Sequence, residues 1–85
     1  MTRVFIEDSP SNMKALHDCV FQLTGKRAQN RASFFTMSSL ILIDVRADGV
    51  CLIKGRDLKE SIVPVSLPEA LTYIREQVFI HSLED

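Results

Sequence analysis

Histidine and cysteine are scarce in this chain, with two of each, and no two of them stand at the short intervals that a zinc site needs. His17 and His81 lie near opposite ends, and His17-Asp18-Cys19 sets three suggestive residue types side by side. On a helix, neighbouring positions point about 100° apart, so these three do not converge on one substrate atom. Glycine is equally sparse. The three glycines are single and sit at expected turns, which leaves no glycine-rich phosphate loop. These absences argue against an enzyme, and no cofactor or metal is expected. An excess of one charge is also missing. Ten basic residues stand against eleven acidic ones, so no global field draws the chain to nucleic acid or to an anionic membrane. Long apolar runs are absent too: Leu40 to Ile43 is far too short to span a bilayer. The opening Met1-Thr2-Arg3-Val4-Phe5-Ile6 meets Glu7-Asp8 too early for a signal peptide. The expectation is an intracellular, cytoplasmic protein, with Cys19 and Cys51 as reduced core residues.

What is present is an ordinary globular composition, 46% hydrophobic and 25% charged, in a length of 85 residues that suits a single domain over 1–85. Its organising stretch runs from Ser39 to Lys54. Two aliphatic runs there flank Asp48-Gly49, a strong hairpin signal. With Asp48 and Gly49 as a two-residue loop, Val45 faces Leu52 and Ile43 faces Lys54. Ile43, Val45, Ala47, Val50 and Leu52 then share one face. A lone hairpin is marginal in water, so other segments must cover it.

Two helices supply the cover. Asp8 or Ser9 caps the first, Pro10 fits its first turn, Met13, Leu16, Cys19, Val20 and Leu23 recur at helical spacing, and Gly25 ends it. Ser66-Leu67-Pro68-Glu69 forms a capping box for the second, whose stripe is Ala70, Leu71, Ile74 and Val78, with Phe79 at its margin. Val4-Phe5-Ile6 reads as a short edge strand. The polar stretch 26–31 reads as a loop, and Phe34-Phe35-Thr36 as a segment able to enter the sheet. Ser61-Ile62-Val63-Pro64-Val65 reads as a further strand, at an edge because Pro64 cannot donate to a ladder. The order is (β)-α-β-β-β-α, a small α+β domain. Short connections favour an antiparallel sheet of three to four strands packed with the two helices.

The run from Leu42 to Ile53, preceded by a helix and followed by Ile62-Val63-Pro64-Val65, resembles the N-terminal half of phosphotyrosine-binding (PTB) domains. The resemblance implies a peptide-binding adaptor. It also implies a strand over Leu71-Thr72-Tyr73-Ile74-Arg75-Glu76, where capping and periodicity predict a helix. The family's later strands and closing helix have no counterpart here, and no binding residue is carried over.

Two sets of residues stand out as binding candidates. Lys26, Arg27 and Arg31 form a local cationic cluster able to hold oxyanions or an acidic peptide, or simply a solvated loop. Phe34, Phe35, Ile62, Val63, Val65 and Phe79 are the candidate apolar interface, competing with a role in the core. The favoured expectation is a non-enzymatic protein–protein interaction or regulatory module that closes its core by self-association, as a homodimer, or with a protein partner. Pairing at an exposed strand edge is the simplest mode, with Ile62 to Val65 as the candidate edge. The alternative is a nucleic-acid-binding α-β-β-β-α module using Lys26, Arg27, Arg31, Arg46, Lys54 and Arg56. Asp44, Asp48, Asp57 and Glu60 dilute that patch, and Glu69 occupies the second helix start, where a basic residue would suit RNA.

Overall fold

Ile41, Ile43, Val50 and Leu52 are buried together, and the rest of the architecture is arranged to cover them. The computed structural model describes residues 3–32, 39–54 and 63–83. Its order is β1 (Val4–Glu7), α1 (Pro10–Thr24), β2 (Gln29–Ala32), β3 (Leu40–Arg46), β4 (Gly49–Lys54) and α2 (Leu67–Leu83). The expected α+β class and element order hold. The four strands lie in the order β1-β3-β4-β2. β1 with β3, and β3 with β4, pair antiparallel as expected, but β2 pairs parallel with β4 and makes the sheet mixed. The reason lies in the connection: α1 carries the chain back along the sheet, so the strand that follows it must run beside β4 in the same direction.

The hairpin turns one residue earlier than the sequence suggests. Ala47 and Asp48 form the loop, with Arg46 opposite Gly49, Val45 opposite Val50 and Ile43 opposite Leu52. Gly49 opens β4 with φ 151°, while no non-glycine among the described residues takes a positive φ. Asp48 therefore does not enter the left-handed conformation that an Asp-Gly loop of the primed type demands. Moving the loop by one residue shifts both strands together, so Ile43, Val45, Val50 and Leu52 stay on one face. A one-residue slip of a single strand would have turned half of them outward.

Both helices cover that same face. Leu16, Cys19 and Val20 of α1 and Ala70 and Ile74 of α2 join Val4, Ile6, Ala28, Ile41, Ile43, Val50 and Leu52 in one buried cluster. The two helices start together: Glu7, Asn12, Pro64 and Leu67 line a common cleft at the end of β1. They run side by side in the same direction, which brings Cys19, ten positions along α1, under the influence of Arg75, nine positions along α2. On the opposite face Phe5, Leu42 and Cys51 are buried as well. Apolar residues on both sides of the sheet are thus buried.

The helix ends are set by short-range chemistry. Ser9 sits at the N-cap of α1 in extended conformation, and its Oγ accepts from the Asn12 amide at 3.1 Å. Gly25 closes α1 at φ 71°, its amide donating to the Phe21 carbonyl at 2.8 Å. At α2, Ser66 Oγ accepts from the Glu69 amide at 3.4 Å and donates to the Glu69 carboxylate at 3.0 Å. Residues 71–76, for which the PTB resemblance implies a strand, lie within α2.

Two expectations need correction. The polar stretch 26–31 is not all loop, since Gln29–Ala32 is strand β2. The segment Val63-Pro64-Val65 is not a strand. Among the described residues it makes a single backbone bond beside β1, from the Val65 amide to the Phe5 carbonyl at 2.8 Å, because Pro64 has no amide with which to extend a ladder. Phe34, Phe35, Arg56, Lys59 and Ile62 lie outside the described residues.

Truncating Ile74, fully buried where α2 meets the sheet, is expected to cost about 2–5 kcal/mol in urea unfolding, a large share of the total for a domain of this size. At Gly25 an added methyl would meet nothing within 4 Å. Gly25→Ala should therefore cost only the left-handed backbone strain, about 1 kcal/mol, with Gly25→Asn costing less.

Candidate functional site

The sheet has two edges, and they are treated differently. The β1 edge is partly covered by the Val65 amide and by the start of α2. The other edge is β2, and all four of its residues are exposed. Among the described residues, no strand pairs with its outer side.

Side chains alternate along β2. Asn30 pairs in register with Leu52 and so points to the helix-covered face, whereas Gln29, in register with Cys51, points to the other. Both directions are confirmed by contacts. Asn30 Oδ1 lies 3.0 Å from His17 Nε2 on α1, and the Cys51 thiol donates to Gln29 Oε1 at 3.6 Å. Between α1 and β2 lies an open cleft of about 470 Å³, lined by His17, Asp18, Phe21, Arg27, Ala28 and Asn30. Phe21 is the exposed aromatic of this wall, on the flank of α1 turned away from α2. The Asp18 carboxylate is answered by Lys14 Nζ at 2.9 Å, on the outer surface of the same helix.

The cationic residues singled out in the sequence now have places. Lys26 and Arg27 are exposed in the short connection between α1 and β2, Arg27 in the wall of the cleft. Arg31 is exposed on β2, on the face opposite Asn30, with a long 3.4 Å bond to Gln29 Oε1. No ion pair engages any of the three among the described residues. Arg46 and Lys54, by contrast, are occupied by Asp44 at 2.7 Å and Asp8 at 3.4 Å. The structure thus places Lys26 and Arg27 just before β2 and Arg31 on it, Arg27 on the cleft side and Arg31 on the other, while Lys14, Arg46 and Lys54 are paired with Asp18, Asp44 and Asp8.

Of the apolar candidates, Val63 and Phe79 are exposed and Val65 is half-buried against the core. Phe79 belongs to a set with Ile80 and Leu83, residues of the tail that the sequence leaves either docked or exposed. Phe79, Ile80 and Leu83 are 63%, 45% and 69% exposed on the last turns of α2, and Phe79 and Leu83 are one turn apart. Ala70 and Ile74 define the buried side of α2, and Phe79 and Leu83 fall on the side facing away from it. The relevant signal was available in the sequence: α2 has apolar residues around most of its last two turns, more than one buried stripe can use.

Among the described residues no group of three or more His, Cys, Asp or Glu side chains could hold a metal ion, and no helix is long and apolar enough to cross a membrane. Cys19 and Cys51 are free, buried thiols. Comparison with protein-family models, with curated proteins and with solved structures found no match to this chain.

Burial pushes the Cys19 thiol above its ordinary 9.0, with Arg75 opposing the shift. Burial, and secondarily the Asp44 carboxylate, pushes the Tyr73 hydroxyl above 10.0. For a group raised in the folded state, the unfolded chain ionises first as pH rises. Stability is then full below the ordinary value and declines as pH climbs towards the folded one. The urea midpoint should therefore hold steady from pH 7 to the ordinary thiol value of 9.0 and fall beyond it. Cys19→Ala combined with Tyr73→Phe should flatten that fall. An undiminished slope in the double variant would assign it to other groups.

Proposed function

We propose that this chain is a non-enzymatic protein-interaction module, acting as a regulatory or adaptor domain, that associates through the outward side of α2. One observation carries the reading: Phe79, Ile80 and Leu83 form an exposed apolar surface on a helix whose other side already completes the core. Three large apolar side chains clustered in water at the end of one helix are a recurrent mark of an association site. A second copy is the first occupant to test. Two such helices packed face to face would bury six large side chains about a twofold axis. A hetero-partner helix with an apolar stripe would fit the same surface. Two unbridged buried thiols suit an intracellular, cytoplasmic setting.

The test is mass by light scattering, over a concentration series and at low and high salt. The expected result is a dimer indifferent to salt, as association through apolar surface predicts, converted to monomer by Phe79→Glu or Leu83→Glu with the helical circular-dichroism signal retained. A monomer at every concentration directs the reading to a hetero-partner. A dimer that survives both substitutions would remove α2 from the interface.

A further inference from the structure

The basic edge strand is a second surface, independent of α2. We propose that the outer edge of β2, together with the cleft between β2 and α1, docks an extended acidic segment of a partner protein by strand addition. The inference rests on the reading of the chain as a protein-binding module, though not on α2 as the place of contact.

Two kinds of recognition coincide at this edge. Backbone amides and carbonyls on the outer side of β2 have no strand partner among the described residues, and they form a template for the main chain of an added strand. An added strand sends its side chains alternately to the two faces. Those on the helix side enter the cleft, where Arg27 offers a guanidinium with no ion pair among the described residues and Phe21 an exposed ring. Those on the other side meet Arg31. A carboxylate on either face of the incoming strand therefore finds a guanidinium able to hold it by two parallel hydrogen bonds. Among the described residues Asp18 is the one carboxylate in the cleft wall, and Lys14 balances it.

Charge also decides against two other occupants. A second copy pairing edge to edge would set Lys26, Arg27 and Arg31 of both chains along one seam, six cations with no carboxylate of β2 to separate them. A nucleic acid would satisfy the guanidiniums but leave the strand's backbone template unused. The net charge of −1 supplies no wider field to hold it. An acidic extended peptide uses both features.

The probe is a displayed library of random nine-residue peptides, panned on the Phe79→Glu chain so that association through α2 plays no part. Enriched peptides should carry Asp or Glu with β-forming residues between them. The best of them, as a labelled synthetic peptide, should shift the backbone amide resonances of residues 27–32 and not those of 79–83. Arg27→Glu combined with Arg31→Glu, both on exposed side chains, should weaken binding by roughly tenfold or more. Methylation of alternate peptide nitrogens, which keeps the charge but removes the ladder, should abolish it. The proposal is overturned if no peptide is enriched, if the enriched peptides lack acids, or if binding survives N-methylation. It is overturned equally if a ten-nucleotide single-stranded DNA displaces the peptide and binds these same residues more tightly. Each result stands whether or not the wild-type chain dimerises through α2, so this reading and the one above can fail separately.

Discussion

The shared apolar face of β3 and β4 is the constraint on which the rest of the structure depends. Ile43 opposite Leu52 and Val45 opposite Val50 put branched side chains directly across from one another, where cross-strand contacts are closest. That surface exists only as long as the hairpin keeps its register, and it is too large to leave in water. β1 extends it by adding Val4 and Ile6 in line with Ile43 and Ile41. α1 and α2 then seal it from one side. Each helix contributes few fully buried residues, and neither would bury the sheet alone. The fold is cooperative for that reason: hairpin, edge strand and helices each lack a stable environment without the others.

Placing both helices on one side, side by side and in one direction, determines which surfaces are left over. α2 lies over β1 and β3 and abuts α1 along one flank, so its last turns run on with apolar residues facing outward. On the β2 side α1 leaves an open flank, where His17 reaches Asn30 and Phe21 stands exposed. The two candidate sites thus follow from one packing decision, one on the outward side of α2 and the other on the open flank of α1.

The sheet edges add a second asymmetry. At β1 the segment that leads into α2 offers one amide to the Phe5 carbonyl, and Pro64 beside it stops further pairing. At β2 the edge carries cations. Charged residues on an edge strand discourage indiscriminate strand pairing, a problem every open sheet has to manage. The same charges select among partners, since a segment bearing carboxylates is attracted where a basic or neutral one is not.

What the sequence by itself determined were features whose causes act over a few residues. Ser9 with Pro10, Gly25, and Ser66 with Glu69 mark the helix ends through bonds within one turn. Alternation in 41–45 and 50–52 settles which residues share a face, even though the loop falls at Ala47-Asp48 and not at Asp48-Gly49. The cations at 26, 27 and 31 were legible as a cluster for the same reason of proximity. Only the tertiary structure decided that Gln29–Ala32 is a strand. Its four residues have no apolar alternation and no intrinsic β preference, and they are extended because the backbone of β4 offers them a parallel partner. The cleft beside them joins His17 to Asn30 across thirteen positions and two elements. The exposed side of α2 is defined only by what the sheet and α1 leave uncovered. Local chemistry specifies the pieces and their inward faces. Which surfaces remain open depends on how the pieces divide one shared core, and that is a property of the assembled chain.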